Sequence, residues 1–221
     1  MVVFVIAMES EAQPLIYNMT EVKYSDVYDK KIVRGKLCGQ DISAVICGVG
    51  KVNAATGAQY AIDVLKADTI VNIGVAGGLN DGLKIGCIYG ISHAVQYDFD
   101  LVQLNGTMIG TLDEFEENYL SICTRNVFPL KKLATGDRFN DSAEDFRLLT
   151  EVLGADIRDM EGGAIAQVCK HAGIPFYSFK AISDLAGSGS TTKQFQKNLQ
   201  VCAAKLNNNI KSIFEAVNRY E

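Results

Sequence analysis

The sequence predicts an α/β fold: a single domain with a mixed, twisted β-sheet flanked by helices. Three observations carry the fold class. Val2–Ala7 (V-V-F-V-I-A) and Thr69–Gly74 (T-I-V-N-I-G) are near-continuous apolar runs, the pattern of strands buried on both faces. Segments of helical period follow such runs, so strands and helices alternate. Residues 22–47 hold three short, partly alternating segments split by polar turn residues, which read as antiparallel hairpins.

The bulk properties agree. The chain has 221 residues, 48% of them hydrophobic, enough for one large core. No repeat, low-complexity tract or linker interrupts it. A net charge of −5 without a basic cluster argues against nucleic acid or an anionic membrane as partner. Six cysteines form no C-x-x-C pair and only two histidines, His93 and His171, are present, so a metal site is not expected. Buried free thiols in a reducing compartment are the expectation. Val2–Ala7 is too short for a signal segment, and no run approaches the ~18 apolar residues of a membrane span, so a soluble, cytoplasmic protein is expected.

After the first strand, Met8 to Asn18 reads as a helix with Glu9 and Glu11 in its first turn, where the dipole favours acids. Val22–Tyr28, Lys30–Leu37 and Asp41–Cys47 are the hairpin strands. Gly48-Val49-Gly50-Lys51 leads into a helix, Val52–Leu65. Neither the Walker spacing nor a dinucleotide fingerprint is present there. The strand at Thr69–Gly74 opens into Val75-Ala76-Gly77-Gly78-Leu79. Small residues in that place suit a ligand's close approach or a tight turn. Cys87–Tyr97 is a strand, Asp98–Thr111 an irregular loop, Asn118–Thr124 extended and Leu130–Thr135 a strand. Ser142, with Asp145 three residues on, resembles a capping box for Ala143–Leu153. The helix after Glu161 shows Ile165, Val168, Cys169 and Ala172 at i, i+3, i+4 and i+7. Gly173 and Pro175 stop it, and Pro175–Ile182 is a buried strand. Thr192 to Tyr220 is an amphipathic helix whose stripe, Phe195 to Val217, packs on the core and carries no chemistry.

Two acids thus fall at element ends: Glu161 before a helix and Asp184 just past a strand. Ligands of open α/β sheets bind outside the carboxyl ends of the strands, the edge on which both acids would lie. Each residue alone has a plainer explanation. Glu11 and Glu161 serve as helix N-terminal acids, Asp184 braces the Ala186-Gly187 turn, and Phe139 is core.

Taken in order, A-M-x-x-E, G-x-G-K, A-G-G-L, T-G-D-x-F, D-M-E-G-G-A-I-A and K-A-I-S-D form a sterner pattern. In these the chain resembles, essentially end to end, the 5′-methylthioadenosine/S-adenosylhomocysteine nucleosidases of the purine nucleoside phosphorylase superfamily. The resemblance implies hydrolysis of 5′-substituted adenosines by a homodimer without a cofactor. It implies Asp184 as the acid at the purine and Glu11 as the holder of the attacking water. Met160 and Glu161 would meet the ribose, and Phe139 and the Asn140 backbone the base. Ala76 and Gly77 would form the floor, and Met8 and Val49 the sugar and 5′ region. Leu101 and Leu104 match positions that the neighbouring subunit supplies to the 5′ pocket. The chain departs from the family at Val75, where a hydroxyl residue is common, and at Lys180, where arginine is usual; lysine lacks its planar fork.

The chemistry fits these residue types. Cleaving an N-glycosidic bond needs a neutral leaving base and a stabilised sugar cation. A carboxyl at 184 can protonate N7 of the purine, and its ionised form can accept from a 6-amino group. An ionised Glu161 supports the developing oxocarbenium ion. Glu11 orients and deprotonates water. An acid in the first loop and no hydroxyl at Val75-Ala76-Gly77 disfavour bound phosphate, hence a phosphorylase. Two alternatives stay open: a nucleosidase preferring another purine nucleoside (5′-deoxyadenosine or futalosine type), and a non-catalytic nucleoside-binding protein on the same scaffold.

Overall fold

A computed structural model describes residues 1–218. The strands are β1 (Val2–Ile6), β2 (Thr20–Val27), β3 (Lys30–Leu37), β4 (Gln40–Ile46), β5 (Thr69–Gly78), β6 (Ile88–Gln96), β7 (Leu120–Ser121), β8 (Leu130–Thr135), β9 (Ile157–Asp159) and β10 (Phe176–Leu185). The helices are α1 (Glu9–Tyr17), α2 (Lys51–Asp63), α3 (Val102–Asn105), α4 (Ala143–Arg147), α5 (Gly162–Ala172) and α6 (Thr191–Val217).

The strands form one mixed sheet in the order β10-β6-β8-β9-β5-β1-β4-β3-β2, with β7 beside β6. Because β10 also pairs with β5, the first five strands of that order close into a ring, and β1-β4-β3-β2 extend from it. β1 lies parallel to both β4 and β5, which explains its unbroken apolar run. Its alternate side chains serve two cores. Val3 and Val5 meet Ala54, Ala58 and Ala61 of α2 and Ile165 and Cys169 of α5. Phe4 and Ile6 meet Ala12 and Leu15 of α1 and Leu206, Ile210 and Ile213 of α6. Each fully buried side chain of this size contributes ~1.5–3 kcal/mol relative to exposure. Leu79, Val95, Tyr97, Leu149 and Leu153 make a smaller third cluster.

The hairpins, the capped helix starts and the Gly173 stop stand as expected. Gly173 is left-handed at φ 66° and closes α5 through Cys169 and Lys170 carbonyls. Ser142 accepts from the Asp145 amide at 3.2 Å. Other expectations need correction. β5 does not turn after Gly74 but runs on to Gly78, because β10 pairs along its whole length and β9 pairs at Gly77 and Gly78. The ladder outweighs the turn propensity of the small residues. For the same reason Asp184 lies within β10, just after a register shift at Ile182, not beyond the strand. The loop after Asp98 contains α3, and the extended segment near 120 shortens to two residues. The helix after Ser142 widens into a π-helical turn over Leu148–Val152. Only Cys47, Cys169 and Cys202 are buried; Cys38, Cys87 and Cys123 are exposed thiols. The expected end of the last helix, at Tyr220, lies outside the described residues.

Candidate active site

A cavity of about 460 Å³ opens where β1, β5 and β10 end. β1 leads into Ala7 and Met8, β5 supplies Val75, Ala76 and Gly77, and β10 supplies Ser183 and Asp184. β9 and the residues after it add Arg158 to Glu161, and α6 adds Phe195 from its first turns. The parallel strands converge on one edge, so residues distant in the chain share it.

Glu11 is buried rather than a surface acid, at 5% exposure. Its Oε1 accepts from the Val75 amide at 2.7 Å and its Oε2 from the Met8 amide at 3.2 Å. Burial raises its pKa, against the pull of Lys180 and these amides. Glu161 caps the start of α5, and its Oε1 accepts from the Gly50 amide at 2.9 Å. Burial, then the neighbouring Asp159, lift its carboxyl to about 7. Gly48–Lys51, which resembled a weak phosphate loop, therefore serves a carboxylate. The Lys51 amide and ammonium are engaged by Asp137 and Asp98.

Asp184 is the most enclosed of the three acids, at 1% exposure. Its Oδ2 accepts from the Ser183 hydroxyl at 2.7 Å, and its Oδ1 has no partner. Burial foremost raises its pKa, which fits a carboxyl held in its protonated form. Behind the acids, Lys180 Nζ lies 2.8 Å from Asp159 Oδ2. Asp159 also accepts from the Thr135 hydroxyl at 2.5 Å and from the Gly162 amide at 2.9 Å. Burial alone would lower the lysine's pKa, yet Asp159, Glu161 and Glu11 together raise it, so it stays charged.

Met8, Val49, Ala76, Gly77, Phe139 and Met160 line the same cavity as the three acids. Phe139 is half exposed and meets Phe195 edge-on, ring centres 5.7 Å apart, at one wall. Three expected residues do not line it. Asn140 turns its side chain to Asp145 and the Ser142 amide. Leu101 and Leu104 lie at the start of α3, and Leu104 is 79% exposed. Arg158, Ser183, Thr192, Phe195 and Gln196 line the cavity without having been singled out. The last three show that the first turns of the final helix, besides packing on the core, reach the cavity at the strand ends. Ser183 could have been found as the neighbour of Asp184; nothing in the local pattern marks Arg158. Among the described residues no cluster of His, Cys, Asp and Glu could hold a metal, and no helix is long and apolar enough to cross a membrane.

This sheet, closed on one side and carrying a cavity of acids and small residues at its strand ends, is that of the Phosphorylase superfamily, whose family model matches residues 1–215. Among curated proteins, the chain is 34% identical over 198 residues to the 5′-methylthioadenosine/S-adenosylhomocysteine nucleosidase of Buchnera aphidicola subsp. Acyrthosiphon pisum (strain Tuc7), covering 84% of each chain. It is 31% identical over 222 residues to that of Haemophilus ducreyi, covering 91% of this chain and 95% of the other. Among solved structures, the nucleosidase of Colwellia psychrerythraea in complex with adenine superposes with a TM-score of 0.89 at 27% identity, covering 97% of this chain and 94% of that one. The Neisseria meningitidis nucleosidase in complex with methylthio-immucillin-A gives 0.87 at 26% identity, covering 97% and 98%. The chain belongs to the 5′-methylthioadenosine/S-adenosylhomocysteine nucleosidase family.

Proposed function

We propose that the chain hydrolyses the N-glycosidic bond of 5′-substituted adenosines, methylthioadenosine and S-adenosylhomocysteine among them, to adenine and a 5′-substituted ribose. The observation that carries this reading is the meeting of Glu11, Glu161 and Asp184 around one cavity, each with its pKa raised by burial and each held by different partners. Asp184, with its raised pKa, donates a proton to N7, so the base leaves neutral. Glu161 binds the ribose hydroxyls and, ionised, faces the positive charge that develops on the ring. Glu11, gripped by two backbone amides, holds water on the opposite side and takes its proton; burial brings its pKa toward the range a general base needs. Phe139 stacks on the base, and Ala76 and Gly77 form the floor. Met8, Met160 and Val49 supply apolar surface to the sugar and 5′ group.

Water is favoured over phosphate as nucleophile by the partners of the cations. Lys180, the cation that acts on Glu11, is taken by Asp159 and Arg138 by Asp145, while Arg158 acts on Asp184 and not on Glu11. The exposed Leu104, with Leu101, supports a homodimer in which each subunit completes the other's 5′ pocket. The test is release of adenine from methylthioadenosine with and without phosphate. Release independent of phosphate is expected. Release that rises with phosphate means a phosphorylase, and tight binding without adenine release means a nucleoside-binding protein.

A further inference from the structure

Gly77 sits between two cross-strand neighbours on β5: Asp184 of β10 on one side and Arg158 of β9 on the other. Both side chains lean over the place where a Cβ would stand. Asp184 Oδ1 lies 2.9 Å from that point, and Arg158 Nε and Cγ lie 3.1 and 3.2 Å from it. Both line the cavity, and each carries an unpartnered buried polar atom, Asp184 Oδ1 and Arg158 Nη2. No other pair of unpartnered, oppositely charged groups among the described residues shares one glycine gap.

We propose that Arg158 is a positioning residue for Asp184: its guanidinium, reaching across Gly77, orients the carboxyl that meets the base. This rests on the reading of Asp184 as the acid at the purine. The guanidinium cannot lose its proton, so its effect is fixed across the working pH range. Its charge works against burial, the largest influence on Asp184. Burial and Asp141, from the loop before α4, favour the protonated form, while the Ser183 hydroxyl on its own strand works with Arg158 against them. From α6, Cys202 acts with Asp184, and burial pushes its thiol up to about 11, so it stays neutral. Arg138 lines the same cavity but is held by Asp145. Arg158 is thus the one cation, among the described residues, acting on Asp184, and with the Ser183 hydroxyl it draws the proton off at a lower pH than burial alone would.

The sign is definite. Removing the positive charge raises the pKa of Asp184, so the protonated acid persists to higher pH. Arg158→Met is expected to move the alkaline limb of kcat upward by about one pH unit or more, the size of an opposite charge at this range. Arg158→Lys keeps the charge and is expected to keep the limb. The ¹³C resonance of the Asp184 carboxyl, followed by NMR in the same proteins, should titrate in step. Should Arg158→Met fail to fold, Gly77→Ala forces the two groups apart and is expected to move the same titration. A limb and a carboxyl titration unmoved by loss of the charge would overturn the proposal. If the wild-type protein cleaves no purine nucleoside, the proposed function fails, while the NMR titration still reports whether Arg158 governs Asp184.

Discussion

Lys180 Nζ lies 2.8 Å from Asp159 Oδ2, with the two side chains 2% and 1% exposed. This pair stands behind the cavity, and its charge also reaches Glu11 and Glu161. Breaking a buried pair by removing one partner leaves an uncompensated charge and costs about 3–5 kcal/mol. Lys180→Met is therefore expected to lower unfolding free energy by that amount in urea titration, and to push Glu11 and Glu161 further toward their protonated forms. A stability loss below about 1 kcal/mol would mean that Asp159 finds another partner. The lysine, a departure from the family pattern, thus reads as the cation that balances three acids.

Glu161 yields a prediction on pH. Its folded value of about 7 stands above the usual 4.5, raised by burial and then by Asp159. A raised carboxyl contributes stability that is fully present below about 4.5 and lost as pH rises through about 7. The difference is on the order of 3 kcal/mol. Glu161→Gln should be relatively more stable than wild type at pH 8.5 and lose that advantage near pH 4.5, measured by thermal unfolding. The same variant should show a reduced kcat at every pH, because a neutral amide cannot support the sugar cation that develops in the reaction.

Asp184→Asn should lower kcat by roughly 10²–10⁴-fold, the usual worth of a positioned acid, while nucleoside binding stays near wild type. Adenine release and calorimetry on one preparation check both halves. Unchanged turnover would place the acid elsewhere.

Gly74 lies against Glu11: a Cβ there would sit 2.7 Å from Oε1 and 3.2 Å from Cδ. Gly74→Ala should displace the carboxylate from the Val75 amide, since two buried atoms cannot share that space. The expected result is a folded protein with kcat reduced at least tenfold and KM little changed. Full activity would mean that Glu11 tolerates movement and does not fix the water.

Much of this is legible in the amino-acid sequence. β1 could be read from Val2 to Ala7 because burial on both faces leaves no polar position, and α5 because Gly173 ends it by a local rule. The three acids were found through motif order, and burial then separated Glu11 from an ordinary surface acid of a first turn. Strand ends were not legible: whether Val75–Gly78 turns or continues depends on β9 and β10 lying alongside, a long-range fact. Arg158 escaped for the same reason, since only its register opposite Gly77 brings it to Asp184. Phe195 belonged to an apolar stripe, and no periodicity tells the end of a stripe that packs on the core from the end that reaches a cavity.

The cavity's outer side gives the last prediction. Lys51 and Asp98 form an ion pair that brings the segment after Asp98 against the start of α2, beside Val49. Val52, on α2, and Leu104, in the segment after Asp98, are 74% and 79% exposed, and Val49 and Met108 about half exposed. Exposed apolar side chains grouped near a ligand cavity mark an association surface when they are too many to be scattered singly. If two copies meet here, a charge at the centre is costly: a buried unpaired carboxylate replaces an apolar anchor. Leu104→Asp is expected to weaken the dimer at least tenfold by sedimentation equilibrium. It should also raise KM for methylthioadenosine several-fold while leaving that for adenosine closer to wild type, because only the 5′ group needs the partner's leucines. A variant of unchanged mass and unchanged KM would mean that the 5′ pocket is completed within one chain.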